Sequence, residues 1–254
     1  MKAIFEDNFE KYENPKKYDD MYGNYKEDLL YIMEYASGIK QPIIELACGT
    51  GRLTIPMAKS GLKMVGIDLH GGMLNRAKQK AVHEQLTIVF EQQDCTELDL
   101  AYKSPLIFMT GNSFQHFLTN ASQDALLNSV KRHLLPNGQF IFDTRNPNIA
   151  ELSVDEQYEE SYVNNNHQTV YEKHFENYNH DTQILYCVTE TEIRENEQVI
   201  QTARDSISLR YVFPMELHRL LDSHGFELLN LYGSWKKDAF TKDSISMVIH
   251  CRLK

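Results

Sequence analysis

The chain has 254 residues, 42% of them hydrophobic and 24% charged, with a formal net charge of −10. That length suits one large unit or one unit carrying an insertion. No run of about 18 consecutive apolar residues exists, which excludes a helix spanning a membrane. The opening MKAIFEDNFEKYENPKK is mixed in charge and lacks a long apolar core, so no secretory signal is expected and a cytoplasmic location is the default. Thirteen acidic residues from Glu151 to Asp205 stand against only Lys173, Arg194 and Arg204, so this segment carries the whole net charge. Either it lines a solvated sheet face or it attracts a cationic substrate. A nucleic-acid partner is not expected, because no basic footprint is present. Cys48, Cys95, Cys187 and Cys251 form no CxxC pair, so reduced, mostly buried thiols are expected rather than disulfides or a Cys-rich zinc site.

In chain order, Asn24–Ser37 has an apolar side of Leu29, Leu30, Ile32, Met33 and Tyr35 and stops at Gly38, which predicts a helix. PIIELACGTG is a short apolar run entering a glycine turn. Arg52–Lys59 follows as a short helix, Leu62–Asp68 as a second strand, Gly71–Glu84 as a helix and Leu86–Gln92 as a third strand. Leu106–Thr110 is a fourth strand, Asn120–Leu134 a helix ended by Pro136-Asn137-Gly138, and Gln139–Asp143 a fifth strand. Strands alternating with helices imply a parallel sheet with right-handed crossovers. From Tyr158 to Tyr211 the period becomes two, which predicts an antiparallel meander of three or four strands. A helix beginning at Pro214 and ended by Gly225 then leads to two final strands, FELLNLYG and SISMVIHCRL. The expected fold class is α/β: a Rossmann-like, seven-stranded, mostly parallel sheet with helices on both faces. Residues 1–150 and 206–254 form its core, and 151–205 an inserted antiparallel β cap.

Three segments carry chemistry. In IIELACGTGRLT (Ile43–Thr54) a strand runs through Gly49-Thr50-Gly51 into a helix. Glycine permits a tight turn and close ligand approach, and free N–H groups at the helix start favour an anion or carboxylate. Glu45, one turn earlier, can accept from an ammonium or hydroxyl. In VGIDLHGGML, Asp68 ends a strand where a carboxylate accepts from ribose hydroxyls, and Leu69 and Met73 offer apolar contact to an adenine. In FEQQDCTEL, Asp94 can accept from the adenine amino group and the Cys95 N–H can donate to the ring. Nicotinamide binding competes, but its fingerprint needs a third glycine where Thr54 stands.

Together with YDDMYGNYKEDL, GNSFQHFLT, HLLPNGQFIFD and LHRLLDSHGFELLNLYGSW, these segments make the chain resemble the class I S-adenosylmethionine-dependent methyltransferases. It is similar to their bacterial small-molecule branch, which carries an antiparallel insertion after strand five. The resemblance implies that Glu45, Ala47, Gly49 and Gly51 line the methionine and ribose part of the cofactor. It further implies that Asp68 holds the ribose, Asp94 and Cys95 the adenine, and Asn112 the methionyl amino group. Tyr18 would close over the cofactor and Arg52 meet its carboxylate. Ala47, where many relatives carry glycine, and His70-Gly71-Gly72, where they often carry an acidic or polar helix start, depart from the pattern.

The implied reaction is transfer of a methyl group from S-adenosylmethionine to a nitrogen or oxygen of a small-molecule acceptor, cationic or amine-bearing, with S-adenosylhomocysteine as product. An in-line displacement is mainly a problem of alignment, and orientation supplies roughly 7–11 kcal/mol. For a hydroxyl acceptor His116 is the candidate base, while Gln115, Arg145 and Tyr211 are candidates for touching the acceptor. The insertion would cap the site and exclude water. No N-P-P-Y type motif follows strand four, where Thr110-Gly111-Asn112-Ser113 stands, and Asn146-Pro147 follows strand five instead. No Pro-Cys pair exists for cytosine chemistry. The Asp that metal-dependent catechol-type enzymes need after strand four is missing, so no metal is expected. A cofactor-binding sensor or assembly protein, and a protein side-chain methyltransferase, are the alternatives.

Overall fold

The computed structural model describes residues 8–153, 155–164 and 166–254. Residues 1–7, on which part of the secretory-signal reading rests, lie outside the described residues. Helices α1 (Pro15–Tyr22) and α2 (Glu27–Ala36) open the fold. They lead into β1 (Ile43–Leu46), α3 (Thr54–Lys59), β2 (Met64–Asp68), α4 (Gly71–His83), β3 (Val89–Gln92), β4 (Ser104–Met109), α5 (Asn120–His133) and β5 (Leu134–Arg145). The short α6 (Ile149–Leu152) precedes four long strands, β6 (Glu156–Val163), β7 (Thr169–Asn179), β8 (Ile184–Glu195) and β9 (Gln198–Arg210). Helix α7 (Pro214–Ser223) and strands β10 (Phe226–Tyr232) and β11 (Ser246–Leu253) complete the chain.

Seven strands form one sheet in the order β10-β11-β5-β4-β1-β2-β3. The pairs among β1 to β5 are parallel, and β11 runs antiparallel to both β5 and β10. Strand order reverses between β1 and β4, and ligands of open α/β sheets bind at such a switch point, beyond the carboxyl ends of the strands. Side-chain parity splits the core. Ile44, Leu46, Ile107, Phe140 and Phe142 pack with Leu126 and Val130 of α5 and Leu217 and Leu221 of α7. Ile43, Phe108 and Ile141 pack on the other face, with Tyr31 and Ile32 of α2 and Met57 of α3.

The second sheet is antiparallel in the order β6-β7-β8-β9, matching the expected insertion, with β9 running to Arg210. Two local differences have simple causes. Strand β5 begins at Leu134, before the Pro136-Asn137-Gly138 turn, because α5 ends at His133 and its C-cap Leu134 is already extended. Helix α1 has no apolar stripe to announce it, since none of its residues is buried; Asn14 caps it by accepting the Lys17 N–H, and Pro15 opens it.

Candidate active site

The turn after β1 places Ala47, Gly49 and Gly51 at φ of 51°, 55° and 77°. A Cβ on Gly51 would come within 3.1 Å of the Ile55 Cδ1 and 3.4 Å of the Ala77 Cβ. The glycine is therefore required by conformation and by packing. The Gly49 N–H donates to Asp68 Oδ2 at 2.7 Å, and the His70 N–H donates to Asp68 Oδ1 at 2.8 Å. Burial raises the Asp68 carboxyl above its usual range. Each of its oxygens keeps a lone pair for a ligand hydroxyl. The departure at His70 is a working helix start: its Nδ1 accepts the Met73 N–H at 3.2 Å. Met73 is buried and Leu69 half-buried beside it.

Asp94 caps the turn Cys95–Glu97, its Oδ1 accepting from the Thr96 N–H at 2.8 Å and the Thr96 hydroxyl at 2.7 Å. The Ala47 N–H is directed at the Cys95 sulfur, and the Asp68 charge acts on the thiols of both Cys48 and Cys95. The tips of β1, β2 and β3 thus lie side by side at the carboxyl edge of the sheet. At the tip of β4, Asn112 takes a left-handed conformation, φ 58°. Its N–H donates to Asp143 Oδ1 at 2.9 Å, and Trp235 Nε1 donates to Asp143 Oδ2 at 3.2 Å. Burial pushes Asp143 up to about 7. The Asn112 Oδ1 is buried and has no partner among the described residues. A buried amide oxygen is costly to leave unmatched, and an ammonium would satisfy it.

Glu45 sits differently from a ligand-facing residue. It shares the parity of Ile43, faces α3, is 3% exposed, and its carboxylate accepts the Thr54 hydroxyl. Burial pushes its pKa up to about 8. Arg52 is held as a fork by Asp28, which is fully buried, with further bonds to the Tyr25 carbonyl at 3.1 Å and Thr110 Oγ1 at 3.4 Å. Arg52 also donates to the Tyr18 hydroxyl, so the two residues expected near the cofactor carboxylate do meet; burial is the main cause that pushes Tyr18 up to about 12.

Residues 8–22, of which the sequence reading singled out only Tyr18, form a strap against the turn after β1 and the start of α4. Asp19 accepts from Thr50 Oγ1 at 2.6 Å, Arg76 Nε at 2.9 Å and Lys80 Nζ at 2.8 Å. An open cleft of about 450 Å³ runs past Asp19, Gly51, Arg52, Arg76 and Lys80, but neither Asp68 nor Asn112 lines it. The Phe9 ring meets His70 edge-on at 5.2 Å. At its start the strap binds β9: Glu10 Oε2 accepts from the Ser206 N–H at 2.8 Å, and Lys11 lies 3.3 Å from Asp205.

His116, in the turn Ser113–His116 after β4, touches the strap with both ring nitrogens. Nδ1 lies 3.1 Å from Asn8 Nδ2, and Nε2 lies 2.9 Å from the Tyr12 hydroxyl. The residue keeps some surface, yet burial of the ring lowers its pKa to about 4. Gln115 is 1% exposed, and neither end of its amide has a partner among the described residues. Arg145 bonds the Tyr211 hydroxyl, and Tyr211 packs with Leu152, Tyr178 and Leu185 at the foot of the second sheet.

Much of the acidic segment is a solvated sheet face. Glu159, Glu190 and Glu192 pair with Lys173, Arg204 and Arg194 at exposed positions. Glu172 and Asp205 instead share the face that meets Lys17 and Lys11 of the strap. Ligating atoms of Glu160, Glu172 and His174 lie within 4.8 Å of one another, but Lys17 Nζ already stands 3.6 Å from Glu172.

Comparison with known proteins bears on the fold and on the family of this chain. Residues 43–138 match the family model described as a methyltransferase domain. The Bacillus subtilis (strain 168) protein YqeM, named a methyltransferase, is 35% identical over 118 residues, 46% of this chain and 47% of its own length. The chain spans about half the length of the curated relatives it matches. An S-adenosylmethionine-dependent methyltransferase from Clostridium acetobutylicum ATCC 824 has a TM-score of 0.80 at 19% identity, covering 93% of this chain and 98% of its own. S-adenosylmethionine-bound CalS10 of Micromonospora echinaspora, an amino pentose methyltransferase, has a TM-score of 0.72 at 14% identity, covering 94% and 97%. Residues 43–138 are therefore similar to a methyltransferase domain, and the chain shares the fold of S-adenosylmethionine-dependent methyltransferases. No helix of the described residues is long and apolar enough to cross a membrane.

Proposed function

We propose that the protein is an S-adenosylmethionine-dependent methyltransferase acting on the nitrogen of a small amine-bearing acceptor. The observation that carries the reading is the pairing across the β1/β4 switch point. The Gly49 N–H and Asp68 carboxylate stand at the tips of β1 and β2, and the Asn112 carbonyl, unmatched among the described residues, just past the tip of β4. In this reading Asp68 holds the ribose hydroxyls, the Asp94 carboxylate and Cys95 N–H the adenine, with Leu69 and Met73 against its face. Ala47, Gly49 and Gly51 give room for close approach, Asn112 accepts from the methionyl ammonium, and Tyr18 with Arg52 meets the carboxylate. Glu45 serves from behind, by fixing the turn through Thr54. Bound S-adenosylmethionine supplies a methyl group already activated on sulfur, leaving S-adenosylhomocysteine.

The chain's own task is then alignment and exclusion of water, provided by the strap and by the second sheet. Nitrogen is favoured over oxygen because the histidine and the buried acids at the tips of β1, β2, β4 and β5 already hold hydrogen bonds. Asp68 and Asp143 each accept two N–H bonds, Glu45 is sealed against Thr54, and both nitrogens of His116 are engaged. A neutral amine needs no base before it attacks. Gln115, Arg145 and Tyr211 would line the acceptor's side, and the name of CalS10 as an amino pentose methyltransferase makes amino sugars the first acceptors to try.

The test is transfer of labelled methyl from S-adenosylmethionine to three pools: amino sugars and other small amines, their hydroxyl counterparts, and peptides. Labelling of the amine pool alone is expected. Labelling of hydroxyls alone would overturn the choice of nitrogen. Labelling of peptides alone would give the protein side-chain reading, and tight binding with no labelling the sensor reading.

A further inference from the structure

The Asn8 amide can stand only one way round. The Ser208 N–H donates to Asn8 Oδ1 at 2.8 Å, and Asn8 Nδ2 donates to the Ser208 carbonyl at 2.8 Å. A flipped amide would set two donors and two acceptors face to face, so the backbone of β9 identifies Nδ2 as the nitrogen. The second hydrogen on that nitrogen meets His116 Nδ1 at 3.1 Å. A neutral imidazole has one donor and one acceptor nitrogen. His116 Nδ1 must therefore accept, Nε2 must carry the proton, and Nε2–H must donate to the Tyr12 oxygen 2.9 Å away. Tyr12 keeps its own proton and one lone pair to present elsewhere.

We infer that Asn8 is a positioning residue: anchored to Ser208, it fixes the Nε2–H tautomer of His116 and through it the orientation of the Tyr12 hydroxyl. The inference deepens the amine reading, since a histidine locked as a donor toward Tyr12 cannot take a proton from an acceptor hydroxyl on that side. Asn8 itself is 4% exposed, and its amide bonds to Ser208 and His116.

The test uses the full chain labelled with nitrogen-15 at histidine, read by long-range proton–nitrogen correlation of the His116 ring without any acceptor. Wild type is expected to show a protonated Nε2 and a bare Nδ1. Asn8→Asp replaces the donor by an acceptor and is expected to invert the assignment, so that Nδ1 carries the proton. Tyr12→Phe leaves Asn8 in place and is expected to keep the wild-type pattern. A wild-type Nδ1–H signal, an uninverted Asn8→Asp, or an inversion in Tyr12→Phe would each overturn the assignment. Should Asn8→Asp fail to fold, the wild-type and Tyr12→Phe spectra still decide it. The readout needs no turnover, so a failure of the amine reading in the labelling assay would leave this result standing or falling by itself.

Discussion

The carboxylate of Asp68 accepts the N–H of Gly49 at 2.7 Å, joining the ends of two neighbouring parallel strands through one hydrogen bond. Nineteen positions separate the two in sequence, yet they act as one element. Removing the carboxylate should leave two backbone N–H groups unmatched. We expect Asp68→Ala to weaken S-adenosylhomocysteine binding at least 100-fold, on the order of 3 kcal/mol given about 1.5–3 kcal/mol per bond to a charged group. Isothermal titration against wild type checks it, with a retained cooperative melt as the control.

Ala47 occupies a left-handed conformation that an L-residue enters at a cost of about 1–2 kcal/mol. Glycine removes that strain and returns about 0.5–1 kcal/mol as unfolded-chain entropy. Ala47→Gly should therefore raise stability by up to about 1 kcal/mol. A shift of the denaturation midpoint at unchanged slope is the expected signature.

The empty protein should lose stability as pH rises between about 6.5 and 8. Glu45, near 8, and Asp143, near 7, are both raised by burial and hold protons in the folded chain that the unfolded chain has released. A raised folded pKa favours the native state most at low pH, and that advantage disappears as pH climbs through the folded value. His116 and His250, lowered to about 4, work the opposite way, but only below about 6.5. Thermal melts across this window should show a falling midpoint in wild type and a flatter profile in the Glu45→Gln, Asp143→Asn double variant.

Asp19 gathers Thr50, Arg76 and Lys80 and so ties α1 to the turn after β1 and to α4. These pairs are partly exposed, so their worth to global stability is small. Their effect should lie in the strap. Asp19→Ala should speed dissociation of S-adenosylhomocysteine about tenfold, the equivalent of about 1.4 kcal/mol, with a melting point close to wild type. Stopped-flow fluorescence from Trp235 provides the readout; an unchanged rate would show that the strap does not gate release.

The sheet was legible because β1 is buried along its whole length and the following strands alternate with amphipathic helices. The glycine turn, Asp68 and Asp94 were legible because each stands just past a strand. Glu45 was recognised as part of that motif, but its direction follows from parity: one residue out of phase with Leu46 and in phase with Ile43, it must face α3. The strap left no hydrophobic pattern, and only Tyr18 was flagged in it, through the resemblance. Its anchors are polar, α1 buries no side chain, and Asn8 meets His116 across 108 positions and Ser208 across 200. Tyr12 could have been noticed only by asking which aromatic near the start of the chain lacked an apolar face to join.

Strand β9 ends the second sheet, pairing with β8 on one side only, and its open side is met at Ser206 and Ser208 by the side chains of Glu10 and Asn8. Bare strand margins invite pairing with other copies of a chain. Cleavage after Tyr12 would therefore do two things at once, uncovering a sticky border and removing part of the strap, so self-association and weakened ligand retention should arise together in the trimmed product.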